Sequence, residues 1–375
     1  MKIIIASDSF KGSLTSVEVA QAAKQGILQV LPDCEVVAVN VADGGEGTVE
    51  AIVEALGGEI VVAQVSDPLG RPIAARYGIV GDMAIIEMAA ASGLPLLAIE
   101  ERNPWLTSTY GTGEMILDAI LRGCRQFLVG IGGSATNDAG TGMLQALGFR
   151  FYDIHGKLIE HCSGGCLQDI ARIDDSQVPV AIIDSTFTVA CDVDTPFCGP
   201  EGAAPVFAPQ KGADTEMVGR LDAGMASFAI VIADKYAVNV VPVAGAGAAG
   251  GMGGAFYAFL RAKLKKGIDM VLDAIEFESL IQGADLVITG EGKVDFQTAK
   301  GKTAAGVLSR AKQQHIPVIA IGGCVEMCDA LQQMGFAGIY PILEEEVPLE
   351  LAMQRDFAMN NVCSTVARVL RSFPS

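Results

Sequence analysis

Two glycine-rich acidic stretches constrain this chain more than any other feature of its sequence. They are ADGGEGT at residues 42–48 and ITGEGKVDFQT at residues 288–298. Each follows an apolar run typical of a buried strand and leads into a helical pattern. In open α/β sheets, ligands bind just outside the carboxyl ends of the strands, where glycine lets backbone amides approach a phosphate. The pattern therefore predicts an α/β fold with phosphoryl-transfer chemistry at its strand ends, using carboxylates that can hold a metal or accept a proton.

Strand-like runs alternate with helical patterns along most of the chain, which favours parallel βαβ units. The predicted strands cover residues 2–7, 35–41, 126–131, 285–289, 317–321 and 338–342. The predicted helices cover residues 16–31, 46–56, 113–121, 138–147 and 216–236. The short alternating segments at residues 57–88 are more typical of antiparallel strands.

The length of 375 residues exceeds the usual size of a single core, so two domains are expected. We predict a Rossmann-like α/β domain with a doubly wound parallel sheet, made of residues 1–60, 105–150 and 279–375. A second α/β domain with a mixed sheet, residues 61–104 and 151–278, is inserted into it. The active cleft is expected between the two domains.

Composition excludes several classes of protein. A net charge of −18 argues against a nucleic-acid partner or an anionic membrane surface. A mean hydropathy of +0.40 excludes a disordered chain. Residues 240–260 form an uncharged run of 21 residues, long enough to span a bilayer. Pro242 and six glycines within that run predict a loop entering a helix, so no membrane span is expected.

The nine cysteines are odd in number and scattered, and they form no disulfide framework. Two pairs, Cys162 with Cys166 and Cys324 with Cys328, have CxxxC spacing but lack the paired CxxC knuckles of a zinc site. The N-terminal MKIIIASDS reads as a short strand and not as a signal peptide. These features predict reduced thiols in a cytoplasmic protein.

A dinucleotide-dependent oxidoreductase is one alternative. GAGAAG at residues 245–250 fits the GxGxxG fingerprint, follows the strand-like NVVPVA and precedes a helical pattern. GIGGSA at residues 130–135 fits a looser form, which shows how readily a glycine-rich chain produces the pattern. The first βα turn, SDSFKGS, lacks it. A second alternative is a protein that binds a sugar acid without catalysis, although simple binding does not need metal-ready carboxylates.

The candidate site residues lie in loops at predicted strand ends. Four loops cover residues 8–11, 43–47, 132–136 and 290–295, and two more, outside the Rossmann-like domain, cover 191–204 and 209–213. Because parallel strands place their carboxyl ends on one edge, the first four loops should converge, although any single acid there could also be a helix N-cap. A kinase acting on an alcohol needs a carboxylate to accept the hydroxyl proton, and magnesium, amides and lysines to neutralise phosphate charge. Candidates for these parts are the carboxylates of Asp8, Asp43, Asp192 and Asp295 and the amines of Lys11 and Lys211.

Nine motifs, in order along the chain, resemble the type 1 glycerate kinases of bacteria. They are DSFKGSLTS, ADGGEGT, AASGLPL, TSTYGTGE, GIGGSATND, CDVDTPFCGPEGAA, PQKGA, GAGAAGGMG and ITGEGKVDFQT. The resemblance implies two α/β domains, one of them Rossmann-like, with the active cleft between them. It also implies that ATP and Mg²⁺ serve as cofactors in phosphorylating D-glycerate, with 2-phosphoglycerate the favoured product. Whether the protein is a monomer or a homodimer stays open.

Within this resemblance, each residue receives a role as a hypothesis. Asp192 is expected to be the base on the glycerate hydroxyl, with Asp295 as the alternative, and Lys11 is the third catalytic candidate. Asp43 and Glu46 are expected to hold magnesium, directly or through water. Lys11 and Lys211 would compensate phosphate or carboxylate charge, and Arg71 is a further candidate for the glycerate carboxylate. The remaining binding candidates are Asp8, Ser9, Gly44, Gly45, Gly132, Gly133, Ser134, Gln210, Glu291 and Gln297.

Overall fold

The computed structural model describes residues 1–343, 345 and 347–373. In chain order, its strands are β1 (Lys2–Ser7), β2 (Glu35–Asn40), β3 (Glu59–Ser66), β4 (Pro72–Val80), β5 (Met83–Glu87), β6 (Gln126–Gly130), β7 (Arg150–Tyr152), β8 (Arg172–Asp174), β9 (Thr186–Ala190), β10 (Lys263–Lys265), β11 (Leu286–Val294), β12 (Val318–Val325) and β13 (Gly338–Pro341).

The helices are α1 (Ser16–Val30), α2 (Thr48–Leu56), α3 (Ala89–Ser92), α4 (Tyr110–Leu121), α5 (Thr141–Ala146), α6 (Val180–Ile183), α7 (Ala203–Phe207), α8 (Thr215–Tyr236), α9 (Ala248–Leu260), α10 (Gly267–Ala274), α11 (Phe277–Leu280), α12 (Phe296–Ala299), α13 (Thr303–Gln313), α14 (Asp329–Met334), α15 (Leu349–Ala352) and α16 (Arg355–Ser372). Short 3-10 helices cover Leu94–Leu96, Ile99–Glu101, Gly164–Asp169 and Pro209–Lys211. Among the described residues, no helix is both long and apolar enough to cross a membrane.

The chain divides into two compact units. Unit 1 comprises Met1–Asp43, Glu54–Leu56 and Val271–Ser375, and unit 2 comprises Gly44–Val53 and Gly57–Met270. The prediction differs chiefly at residues 105–150, which were expected in the Rossmann-like domain. They belong to unit 2 because β6 pairs with β5 on one side and with β9 on the other.

Unit 1 is built on a parallel sheet. Over the described residues this sheet has five strands in the order β13-β12-β11-β1-β2, and each neighbouring pair is parallel. Successive side chains of a strand point to opposite faces. Ile3 and Ile5 of β1 are fully buried in a core shared with α1 and α16, while α13 packs against β1, β11 and β12. Unit 1 therefore has the Rossmann-like organisation expected from the sequence.

Local sequence signals begin the first helix of unit 1. Thr15 is the N-cap of α1, and its hydroxyl accepts a hydrogen bond from the Glu18 N–H at 3.2 Å. The Glu18 carboxylate in turn accepts from the Thr15 N–H at 2.9 Å. This reciprocal capping box satisfies two amides that the first helical turn leaves without intrahelical partners.

Unit 2 is built on a mixed sheet. Over the described residues it has six strands in the order β10-β9-β6-β5-β4-β3. The pairs β3–β4 and β4–β5 are antiparallel, as the alternating segments at residues 57–88 predict, and the other pairs are parallel. Stacked rings of Phe127 and Phe187, with centroids 4.7 Å apart, join β6 to β9 in the core. The α/β fold class with one parallel and one mixed sheet is confirmed.

The strand β11 runs further than predicted. The prediction ended it at Thr289 and placed residues 290–295 in a loop. Instead, Glu291, Lys293 and Val294 remain paired with β12, and only Asp295 leaves the strand. Glycines at 290 and 292 have low intrinsic strand propensity, which is why the sequence indicated a loop. Pairing with Gly322 and its neighbours in β12 overrides that propensity.

We expect Gly26→Ala to destabilise the protein, because a Cβ at Gly26 of α1 would lie 2.4 Å from the carbonyl oxygen of Cys363 in α16. Such overpacking typically costs about 1–3 kcal/mol. The matched change Gly219→Ala, in α8, would meet no atom within 4 Å. It should stabilise its helix by roughly 0.5–1 kcal/mol through propensity alone. Thermal denaturation checks both signs, and equal stabilisation by the two alanines would contradict the close packing of α1 on α16.

Candidate active site

In unit 1, one buried acid lies just after β1 and another lies within β11. Ser7 is in register with Gly290, and the Asp8 N–H donates to the Gly290 carbonyl at 3.0 Å. Asp8 is only 5% exposed. Its Oδ1 accepts from the Ser9 N–H at 2.6 Å, and its Oδ2 accepts from the Thr303 hydroxyl at 2.9 Å. Burial, and next the charge of Asp43, raise the pKa of Asp8 above its ordinary value.

Glu291 is the next residue of β11 after Gly290 and is 6% exposed. Within the described part of the chain, its Oε1 is buried without a hydrogen-bond partner. Burial raises the pKa of Glu291 to about 7, with smaller opposing effects from the Thr298 hydroxyl and the Lys302 charge. A carboxyl group in this state is poised between its charged and neutral forms near neutral pH.

Lys11 supplies positive charge near these acids. Its Nζ lies 3.4 Å from an Asp43 carboxylate oxygen, and its side chain is 72% exposed. Burial of its stem opposes the charged form, yet Asp43 and Asp8 together raise the pKa of Lys11 above the ordinary value. Unit 1 therefore groups Asp8, Ser9, Lys11, Asp43 and Glu291. The prediction that four loops share one sheet edge is wrong for residues 132–136, because they follow β6 in the separate sheet of unit 2.

Asp295 has a structural role just after β11. It is the N-cap of α12, and its Oδ1 accepts from the Gln297 N–H at 2.8 Å. Lys293 Nζ lies 3.4 Å from its other carboxylate oxygen. Burial works against ionisation, but the Gln297 amide and the Lys293 charge prevail and lower the pKa of Asp295. The N-cap interpretation of this acid thus has direct geometric support.

In unit 2, the loop at residues 44–48 lies against the ends of two strands. Gly44 has φ +84°, and a Cβ there would lie 2.5 Å from the Ala190 side chain of β9 and 2.7 Å from Gly267. A Cβ on Gly130 of β6 would likewise lie 2.3 Å from the Gly44 carbonyl oxygen. Only glycine fits both the left-handed backbone and this close approach.

Glu87 anchors the same loop and was not singled out from the sequence. This carboxylate at the end of β5 accepts a hydrogen bond from the Val49 N–H, in the first turn of α2, at 3.0 Å. Burial raises the pKa of Glu87 to about 7, against the effect of the Val49 amide. The available signal was an acid at the end of the apolar run MAIIEM, a place where carboxylates face helix N-termini.

Lys211 lies in a buried polar network of unit 2. Its side chain is 2% exposed, and its Nζ donates to the Ser134 hydroxyl and to the Thr136 carbonyl, each at 2.6 Å. Burial lowers the pKa of Lys211 to about 7, partly opposed by the charge of Asp138. Lys211 therefore holds the loop at residues 132–136, and Ser134 is one of its direct partners.

Asp138 is the second residue that sequence reasoning missed in this network. It is fully buried, and its Oδ2 accepts from the Thr109 N–H at 2.8 Å and from the Thr109 hydroxyl at 2.7 Å. Two further amides, of Gly140 and Gly142, donate to it at 3.2 Å. Burial raises the pKa of Asp138 despite these donors. Its position in GIGGSATND suggested the start of a helix, but α5 begins three residues later.

The remaining predicted residues of unit 2 are more exposed. Asp192 is exposed, and its Oδ1 accepts from the Gly267 N–H at 3.0 Å, which orients the carboxylate. Gln210 is also exposed. Arg71 pairs with Glu101 at 2.6 Å and with Asp67 at 2.5 Å, and these carboxylates raise its pKa. A Cβ on Gly132 would meet no atom within 4 Å, so the backbone at this glycine is open on that side.

The predicted metal ligands divide between the units. Asp43 belongs to unit 1, and the exposed Glu46 belongs to unit 2. Across the residues that the structure describes, no three His, Cys, Asp or Glu side chains come together as a metal-binding group. Mg²⁺ at phosphoryl-transfer sites usually takes one or two carboxylates, with phosphates and water completing its shell. Glu291 Oε1, buried without a hydrogen-bond partner, is a further oxygen donor of the kind that divalent cations prefer.

The GxGxxG match at residues 245–250 lacks the structure that a dinucleotide site needs. No strand precedes it, since NVVPVA lies in turns and irregular backbone between α8 and α9. Ala249, Gly250 and Gly251, at the start of α9, have left-handed backbone conformations instead of a regular first turn. A Rossmann fingerprint requires a strand leading directly into a helix N-terminus that faces the pyrophosphate.

The low pKa of Lys211 predicts a pH-dependent stability. The folded-state pKa of about 7 lies below the ordinary 10.5. The unfolded chain therefore binds more protons between these values, and the contribution to stability rises with pH. The difference in unfolding free energy, wild type minus Lys211→Met, should grow between pH 6 and pH 9 by on the order of 2 kcal/mol. Urea denaturation measures it, with Lys24→Met, at an exposed site of α1, as the control for lost charge. A difference that does not change with pH would contradict a neutral buried Lys211.

Comparisons of sequence and of structure relate this chain to known glycerate kinases. The model of the Glycerate kinase family matches residues 3–373. A glycerate kinase of Bacillus subtilis (strain 168) is 47% identical over 94% of this chain and 93% of its own length. The glycerate 2-kinase of Escherichia coli (strain K12) is 44% identical over 99% of this chain and 100% of its own. A crystal structure assigned as glycerate kinase 2 of Salmonella typhimurium LT2 superposes with a TM-score of 0.90 at 45% identity, covering 99% of this chain and 98% of that one. The resemblance seen in the nine motifs is thus confirmed, and the chain belongs to the glycerate kinase family.

Proposed function

We propose that this enzyme transfers the γ-phosphoryl group of MgATP to D-glycerate, giving ADP and phosphoglycerate, with 2-phosphoglycerate favoured. The observation that carries the proposal is the set of acidic and glycine-rich loops at strand ends in a chain of the glycerate kinase family. Such loops supply what phosphoryl transfer to an alcohol requires, namely a proton acceptor, amides and cations. We also propose a cytoplasmic location, which agrees with the free thiols of the described cysteines.

Asp192 is the favoured base for the glycerate hydroxyl. One of its oxygens is held by the Gly267 amide, and the side chain is exposed, so a substrate can approach it. Asp295, the alternative, has a lowered pKa and is already engaged as an N-cap with Lys293 beside it. A base whose pKa is lowered by such partners accepts a proton less readily, and this favours Asp192.

Lysines, an arginine and backbone amides would compensate phosphate and carboxylate charge. In this proposal, the exposed Lys11 compensates phosphate charge directly. The buried Lys211 acts through the loop it holds, where Ser134 and the amides of Gly132 and Gly133 face the phosphates. Gly44 and Gly45 would provide further amides. Arg71 would bind the glycerate carboxylate by exchanging one of its present ion pairs with Asp67 and Glu101.

Magnesium is proposed to bind the nucleotide phosphates together with carboxylates of this chain. Asp43 and Glu46 remain the ligands proposed from the family resemblance, directly or through water. When bound, the ion would neutralise charge that develops on the phosphoryl oxygens. The chain's own task would be to orient the glycerate hydroxyl and accept its proton.

Two other functions compete with this one. A dinucleotide oxidoreductase would bind NAD(P) or flavin, which a binding titration and an absorbance scan detect. The absence of a strand before residues 245–250, within the described structure, disfavours it. A non-catalytic binding protein would bind glycerate without releasing ADP from ATP.

The kinase activity is tested by a coupled assay for ADP release from MgATP on adding D-glycerate. We expect glycerate-dependent turnover in the wild type, and a fall in kcat of ~10²-fold or more in Asp192→Asn, since the amide keeps the shape but cannot accept the proton. Asp194→Asn, at an exposed acid two residues away, is the matched control and should keep kcat. Turnover absent with both glycerate enantiomers would disprove the kinase, whereas normal kcat in Asp192→Asn would remove only the proposed base.

The loop at residues 44–48 gives a second test. Gly44→Ala combines a left-handed backbone with a Cβ 2.5 Å from Ala190, whereas Gly47→Ala, at φ +89°, meets no atom within 4 Å. We expect Gly44→Ala to lower kcat/KM ~10²-fold or more, because a displacement of about 1 Å in a positioning loop has that effect. Gly47→Ala carries only the backbone strain of about 1–2 kcal/mol and should lose much less activity. Equal losses in the two variants would show that close approach at Gly44 is unimportant.

A further inference from the structure

Two buried carboxylates share one face at the centre of the unit 1 sheet. Because Ser7 of β1 is in register with Gly290 of β11, the residues that follow them, Asp8 and Glu291, are neighbours across the pair. Parallel strands lie about 4.8 Å apart, and residues in register point to the same face. The Asp8 N–H bond to the Gly290 carbonyl, 3.0 Å long, keeps this alignment past the end of β1.

The charge of this pair is not compensated by a direct ion pair. Within the described structure, neither Asp8 nor Glu291 lies within 4.0 Å of a lysine or arginine nitrogen, and Lys11 pairs with Asp43 instead. Asp8 receives one amide and one hydroxyl hydrogen bond. Glu291 Oε1 receives none. Two adjacent carboxylates that are 5% and 6% exposed, one with an unsatisfied oxygen, need a cation or a proton.

A neighbouring hydroxyl is also unsatisfied. Thr289 precedes Glu291 by two residues in β11, so its side chain is on the same face of the sheet. It is fully buried, and its Oγ1 has no hydrogen-bond partner among the described residues. An orphan hydroxyl beside an orphan carboxylate oxygen is a set of hard oxygen donors. Hard divalent cations such as Mg²⁺ and Mn²⁺ prefer these donors.

We propose that Asp8 and Glu291 form a divalent-cation site in unit 1, which binds Mg²⁺ or Mn²⁺ in the absence of nucleotide. This site is distinct from the Asp43 and Glu46 ligands proposed above. The proposal concerns cation binding by the free protein, so its outcome does not depend on whether glycerate is the substrate. The competing state is a proton shared by the two carboxyl groups, with no cation bound.

The test is Mn²⁺ binding to the full chain, measured by electron paramagnetic resonance without ATP or glycerate. We expect one Mn²⁺ per chain that Mg²⁺ displaces. Asp8→Asn and Glu291→Gln should each weaken binding by ~10-fold or more, at least the loss seen when groups around a metal site are changed. Glu326→Gln is the matched control, since its carboxylate is 62% exposed and pairs with Lys293 in the same unit. It should bind Mn²⁺ as the wild type does.

A second measurement on the wild type avoids dependence on variants that fail to fold. Fe²⁺ bound in place of Mg²⁺, with ascorbate and peroxide, generates radicals that cleave the backbone near the ion. Cleavage close to residues 8 and 291, suppressed by excess Mg²⁺, supports the site. The proposal is overturned if Mg²⁺-sensitive cleavage occurs only elsewhere, if Asp8→Asn and Glu291→Gln keep wild-type affinity, or if the wild type binds no Mn²⁺ at millimolar concentration.

Discussion

The parallel pairing of β1 with β11 is the interaction on which unit 1 depends. It joins the first residues of the chain to a strand that begins at Leu286, and it places β1 between β11 and β2 in the sheet. The same register places Asp8 beside Glu291. Asp8 also accepts a hydrogen bond from the Thr303 hydroxyl. A shift of one residue would turn every side chain of β1 to the other face and would remove Asp8 from the face that it shares with Glu291.

Much of the fold could be predicted because strands buried on both faces are continuous apolar runs bounded by turn residues. β1 has the predicted bounds, and β2 ends one residue earlier than predicted. The end of β11 could not be predicted, because β12 supplies the pairing partners of its glycines and no local signal records that. The membership of residues 105–150 was missed for the same reason, since no local signal records that β6 pairs with β5 and β9. At the site, their position in loops singled out Asp8 and Lys211 as candidates. That both side chains are buried is seen only in the structure. Glu87 and Asp138 were missed because their contacts are with backbone amides distant in sequence.

Several charged groups of this protein are buried or half-buried because they hold nearby loops in position. Loop backbone and hydroxyl groups form the hydrogen bonds of Lys211, Asp138 and Glu87. The pKa of each side chain is shifted in the direction that favours its neutral form. Apolar side chains of similar volume would be easier to bury, but they could not hold the loops at residues 44–48 and 132–136. These polar side chains therefore fix the conformation of the glycine-rich loops, because glycine itself has little intrinsic conformational preference.

The division of the chain into units has a consequence for synthesis on the ribosome. Unit 1 begins with residues 1–43 and resumes as a long segment only at Val271, so β1 emerges some 280 residues before β11. At roughly 5–20 residues per second, β1 waits on the order of tens of seconds for β11. Unit 2, which ends at Met270, is complete only shortly before β11 begins at Leu286. During that interval the apolar strand KIIIAS can pair with β2 along one edge, while its other edge lacks β11. A chaperone that protects the nascent chain is thus expected to act on this open edge of β1.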